Sequence, residues 1–216
     1  MAGFCGSPIR SAGKPMLRID RAATLWFAFV VAVCGCNSAA AQGRYSLDQH
    51  VGSIAFSVGH LGLFSSHGEF HRFTAILALD RVHPERTTIA VDVDARSIDM
   101  AWQDGAEKLR SPAYFDVRDY PDVRFTSVSV AQDGPDSYAI NGRIEIRGVT
   151  QPLSLEAKLV GRPMLAGQDA QTADFVVTGH LKRSAFGMTA DPLFISDNVD
   201  ITIAAHIELD QPRHAG

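Results

Sequence analysis

From Ser46 to Leu209, apolar and polar residues alternate in segment after segment. Successive side chains of an extended chain point to opposite faces, so this period marks strands with one buried face. Ile54, Phe56 and Val58 share a face, and His60 falls at its end. Ile89, Val91, Val93 and Ala95 share another, with Asp92 and Asp94 opposite. Tyr138, Ile140, Ile144 and Ile146 follow, then Leu153, Leu155, Ala157 and Leu159, then Phe175, Val177 and Leu181. The last run is Val199, Ile201, Ile203, Ala205, Ile207 and Leu209. Strands near Ser46, over Phe73–Leu79 and over Val123–Val130 complete the set. The last of these changes phase between Phe125 and Val128, which predicts a β-bulge.

Turn chemistry separates the runs: His83-Pro84, Asp133-Gly134-Pro135, Gly148 to Pro152, Arg162-Pro163, and the Gly- and Ser-rich stretch after His60. Residues 161–172 are weakly patterned and predict a long hairpin loop. One helix is predicted, over 100–109, with Asp99 as its cap and Ala101, Trp102 and Ala106 at helical spacing. With no repeat and no linker, the pattern describes a single all-β domain of about eight antiparallel strands. Such strands bury their apolar faces as a sandwich or as a closed barrel, and alternation alone does not choose between them. A barrel of this size is filled by side chains or holds one small ligand.

The N-terminal 41 residues follow a different pattern. Arg18 and Arg21 precede the apolar run Ala22–Val33, and small residues lead to Ala39-Ala40-Ala41. This is the layout of a secretory signal peptide cut after Ala41, and translation from Met16 would give it an ordinary length. The apolar run is shorter than the roughly 20 residues a membrane span needs. Cys5, Cys34 and Cys36 all lie in this leader, so a protein starting at Gln42 has no disulfide and no thiolate site. Gly35-Cys36 matches a lipidation signal only in part, which favours cleavage over anchoring at Cys36. From Gln42 onward, 16 basic residues face 23 acidic ones with no basic block. Nucleic acid is therefore disfavoured as a partner, because phosphate neutralisation needs clustered cations.

Candidate chemistry is sparse. On an extended strand His67 and His71 stand about 13 Å apart, too far to share one metal ion. No G-x-S-x-G elbow and no phosphate-cradling glycine loop is present. Asp92 and Asp94 fall on the outer face. Two clusters place a cation and a hydroxyl beside large apolar groups: Lys108 to Asp116 with Tyr120-Pro121, and Leu181 to Met188. Each suits a ligand with an oily tail and a polar head, or an arginine stem packed on aromatics with its head in water.

Several blocks, in order, resemble the YceI-like family of bacterial secreted, polyisoprenoid- or lipid-binding proteins. They are Tyr45-Ser46-Leu47-Asp48, Phe56 to Gly62 with Gly68-Glu69-Phe70, and Ser97-Ile98-Asp99. Leu109-Arg110-Ser111 with Tyr114-Phe115-Asp116 follows, then Tyr120-Pro121 with Phe125-Thr126-Ser127. Ile146 to Pro152, Lys182-Arg183-Ser184 with Phe186-Gly187-Met188, and Val199-Asp200-Ile201 complete them. The resemblance covers about residues 45–209. It implies a lipocalin-like antiparallel β-barrel with a long hydrophobic cavity, an isoprenoid or other acyl-chain lipid as ligand, a periplasmic or secreted location, and homodimers in many members. It implies no catalytic activity and no cofactor or metal. Two positions depart from the family pattern: Lys108 stands where histidine is usual, and Ala185 where an acid is usual.

The expected ligand-binding wall comprises Ile54, Phe56, Val58, Val91, Val93, Phe125, Ile140, Ile144, Phe175 and Val177. His60, Arg183 and Ser184 are the expected polar contacts, with Trp102 and Phe186 near the mouth. A transient membrane contact fits a carrier of this kind. Two rival readings use the same barrel: a lipid-acting enzyme with His60 as its base, and an envelope-stress interaction module whose barrel is simply filled.

Overall fold

The computed structural model describes residues 43–47, 52–80, 83–160 and 172–209. The leader, its cleavage site and cysteines, Arg162-Pro163 and the expected loop up to Gln171 lie outside the described residues.

Among the described residues, eleven strands and one helix are formed. The strands are β1 (Gly43–Leu47), β2 (Ser53–His60), β3 (Phe64–Phe70), β4 (Phe73–Leu79), β5 (Thr88–Asp94), β6 (Ile98–Met100), β7 (Asp122–Gln132), β8 (Ser137–Ile146), β9 (Val149–Leu159), β10 (Thr172–Lys182) and β11 (Ile195–Leu209); the helix is α1 (Gln103–Arg110). They make one antiparallel sheet in the order β1-β4-β5-β7-β8-β9-β10-β11-β2-β3-β6, and β1 also pairs with β11. That last pairing closes the sheet into a barrel and settles the choice against a sandwich.

Closure works because the first strands are long and broken. β11 pairs with β2 along its first part and with β1 at its end, so β1 and β2 act as one interrupted strand. β3 and β4 pair back onto β2 and β1, and β6 and β5 onto β3 and β4. The fold is thus an eight-stranded, lipocalin-like ring whose first three members each carry one break. β7 continues the ring from β5 alone, and α1 follows β6 on that side.

The bulge is where the alternation placed it. The β7–β8 register shifts between Ser127 and Ser129. The extra residue, Val128, is exposed, while Phe125 and Val130 both stay buried.

Three local expectations are corrected. The helix starts at Gln103 rather than Met100, because pairing of Gly68 with Met100 holds 98–100 extended as β6. Its cap is therefore Trp102, with no side-chain capping bond, and the Asp99 carboxylate instead accepts from the Met100 N–H. The β8–β9 turn is only Arg147-Gly148, with φ of 53° and 69°, so Thr150 to Pro152 already belong to β9. The turn after His60 spans Leu61 to Leu63, and Ser65 and Ser66 belong to β3.

Candidate functional site

The antiparallel order gathers α1 and the β2–β3, β8–β9 and β10–β11 connections at one end of the barrel. Between that end and the other runs a cavity of about 770 Å³. A cavity of this size shows that the described side chains do not fill the barrel. Its middle is lined by apolar residues of every ring member, such as Val91, Phe125, Ile140, Leu155, Val177 and Ile203. Polar lining groups sit toward the ends. His60, Ser66, Lys108, Arg183 and Asp191 lie at the α1 end, and Asp80, Thr87 and Thr172 at the other.

Three inward glycines keep the bore open. A Cβ on Gly68, Gly142 or Gly179 would stand 2.4 Å from an atom of Phe56, Phe125 or Leu155, respectively. Each large side chain lies sideways over a glycine of the next strand instead of reaching across the lumen.

Of the residues expected from sequence, Ile54, Phe56, Val58, His60, Val91, Val93, Trp102, Phe125, Ile140, Ile144, Phe175, Val177 and Arg183 line this cavity. Two expected contacts do not. Ser184 is exposed, and its Oγ donates to Asp197 at 2.8 Å while its N–H donates to the same carboxylate at 2.9 Å. Phe186 is 2 % exposed, packed into the core within a 3-10 turn closed by Gly187 rather than standing at the mouth.

Arg183 reaches the cavity but has spent most of its donors. The guanidinium, 5 % exposed, donates from Nε to Ser196 O (2.9 Å), from Nη1 to Met188 O and Ala190 O (both 2.7 Å), and from Nη2 to Ile195 O (2.9 Å). It clamps the β10–β11 connection rather than offering an open fork to a ligand. His60 is the opposite case. Its Nε2 is buried in the cavity region and has no hydrogen-bond partner among the described residues. Buried polar atoms are normally paired, so this nitrogen is an unmet hydrogen-bonding group in the cavity wall.

The Lys108–Asp116 cluster closes on Asp191, which the sequence did not single out. Lys108 Nζ lies 2.7 Å from its Oδ2, and the Tyr114 hydroxyl donates to the same oxygen at 2.7 Å. The ammonium also sits 5.6 Å from the centre of the Tyr114 ring. The Lys108 ammonium, then the Tyr114 hydroxyl, hold the Asp191 carboxyl below the usual carboxylate range. The carboxylate in turn raises Lys108, and burial, reinforced by Asp191, raises Tyr114. Asp191 adopts φ 52°, a left-handed conformation that Asp tolerates. Its only signal in the sequence was an Asp-Pro pair at a turn.

At the opposite end, Asp80 accepts from the His83 N–H at 2.8 Å, and its own N–H donates to Thr87 Oγ1 at 3.2 Å. Asp92 and Asp94 face outward as expected, yet both are engaged. Asp92 lies 3.2 Å from Arg124, and Asp94 accepts from Arg72 and Arg96 at 2.8–3.2 Å.

Residues 45–207 match the YceI-like domain. The chain belongs to the YceI-like family. A UPF0312 protein of Pectobacterium atrosepticum is 31 % identical over 171 residues, covering 78 % of this chain and 86 % of its own. Among solved structures, Burkholderia cenocepacia BcnA superposes with a TM-score of 0.67 at 20 % identity, over 74 % of this chain and 98 % of that one. A polyisoprenoid binding domain from Saccharophagus degradans superposes with a TM-score of 0.57 at 13 % identity, over 77 % and 98 %. The two positions at which the sequence departs from the expected family pattern have separate partners. Lys108 binds Asp191, while the Ala185 carbonyl accepts from the Gln151 side chain at 3.3 Å.

Proposed function

We propose that this protein binds one long-chain lipid, an isoprenoid or acyl chain, inside the barrel, with the chain along the apolar lumen and the polar head beside His60 at the α1 end. The observation that carries this reading is the end-to-end cavity of about 770 Å³ whose middle wall is apolar. Family membership and the fold shared with a polyisoprenoid binding domain support it. Each CH₂ moved from water into such a wall is worth about 0.8 kcal/mol. A long chain therefore needs few polar contacts, although its ordering offsets part of the gain. Cavity length and width then set selectivity more than the head does. The role is carriage, storage or sensing in the periplasm or outside the cell, which the leader pattern supports.

Mass spectrometry of organic extracts of the purified protein tests this. A stoichiometric prenyl or acyl lipid is expected. A protein that carries none and takes up no long-chain probe overturns the reading. Conversion of an added lipid, abolished in His60→Ala, would replace carriage by catalysis.

A further inference from the structure

The α1 end carries an apolar fringe that lipid storage alone does not require. Leu61, Leu63, Phe64, Trp102, Leu193 and Phe194 are 49–81 % exposed. Three connections bring them together. The Leu61 N–H donates to the Phe194 carbonyl at 3.3 Å, and His60 pairs with Ile195, which joins the β2–β3 turn to the β10–β11 connection. The Gly68–Met100 pairing carries the chain on to Trp102 at the same end of the barrel. The segments 61–66 and 192–196 contain no charged residue, in a chain that is 20 % charged. Trp102 and Phe194 also line the cavity, so one apolar surface runs from the outside into the lumen. Leu61 is the sharpest sign. Its φ is 50°, a left-handed conformation that suits Gly or Asn, and its side chain is left 63 % exposed.

We propose that this fringe inserts into the surface of a lipid bilayer and seats the cavity mouth on it, so that the lipid passes into the barrel without crossing water. The proposal rests on the lipid reading of the cavity. A bilayer fits the fringe better than a second protein does. Six exposed side chains at turns and element ends fall well short of the roughly 20–30 residues per side of a standard protein interface. A bilayer asks for no shape complementarity, only exposed apolar groups and an amphipathic ring such as Trp102 at the boundary.

The test uses the purified protein and vesicles of phosphatidylethanolamine and phosphatidylglycerol. Leu63 and Leu193 stand outside the cavity wall, so the double variant Leu63→Ser, Leu193→Ser leaves the lumen intact. Co-sedimentation of the wild type is expected, weakened about tenfold or more in the variant. Both proteins are expected to bind farnesol, presented without vesicles, with equal affinity. Wild-type protein that stays in solution, or a variant that sediments equally well, overturns the docking proposal while farnesol binding still supports the lipid reading. Loss of farnesol binding in both proteins overturns the lipid reading instead. A dimer that dissociates in the variant, without vesicle binding by the wild type, assigns the fringe to a second copy and overturns docking.

Discussion

Two buried polar residues at the α1 end do opposite work. Arg183 is a buried cation satisfied by four backbone carbonyls. Lysine keeps the charge but not the planar fork. Arg183→Lys is therefore expected to cost about 3 kcal/mol in urea unfolding, because several buried carbonyls lose their donor. His60 carries an unpartnered buried nitrogen, a group that costs about 1–3 kcal/mol when left unpaired. His60→Phe should thus keep or raise the melting temperature of lipid-free protein. It should also lower affinity for a polar-headed lipid about tenfold relative to a plain hydrocarbon, the worth of roughly one hydrogen bond. His60 was legible in the sequence as the one imidazole on an otherwise apolar strand face. The commitment of Arg183 to carbonyls was not, because those carbonyls belong to a loop whose path depends on where β11 begins.

At the scale of elements, the corner between β5 and β6 depends on Asp94. Its carboxylate binds Arg96 and Arg72, and also accepts from the Arg96 N–H to cap the 3-10 turn Ala95–Ser97. The Arg96 side chain first of all lowers its pKa from 3.8 to about 2, burial opposes it, and Arg72 and the Arg96 N–H add to the lowering. A lowered folded-state pKa gives stability that is present above pH 3.8 and lost as pH falls through about 2. Both arginines are exposed, so about 1 kcal/mol is expected after solvent screening. Asp94→Asn keeps a capping oxygen but not the charge. Denaturation titrations should show the variant weaker by about that amount at neutral pH, converging with the wild type toward pH 2. The inward glycines make a second prediction. An added methyl at Gly142 would meet the Phe125 ring at 2.4 Å and the Thr126 carbonyl at 2.6 Å. Gly142→Ala should therefore cost about 1–3 kcal/mol in chemical denaturation and push Phe125 into the lumen, reducing the lipid chain length retained in extracts. The bulge at Val128 and the turn at 133–135 were legible because phase and turn residues are local. The late start of α1 was not, since a strand pairing with Gly68 overrode the helical spacing.

For the whole molecule, a lipid bound as proposed would be part of the core. A ligand held at a hundred times its dissociation constant adds about 2.7 kcal/mol. Stripping it should therefore lower the melting temperature by about 5–10 °C for a domain of this size, read by calorimetry before and after extraction. An unchanged melting temperature would mean that the purified protein carries nothing. Which side chains face inward was settled by sequence alone. Alternation is a property of the extended backbone, and it placed Ile54, Val93, Ile140 and Val177 on the cavity wall without any knowledge of neighbouring strands. Alternation did not decide between barrel and sandwich, although the resemblance to the YceI-like family implied the barrel. That choice depends on β11 reaching past β2 to pair with β1, and strand pairing is a long-range choice that no local pattern encodes. The same holds for the mouth. Tyr114 and Asp191 are 77 residues apart in the chain, and only closure of the ring brings them together beside Lys108. Local backbone geometry fixed the wall; the closed sheet fixed the cavity, its polar end and its apolar rim.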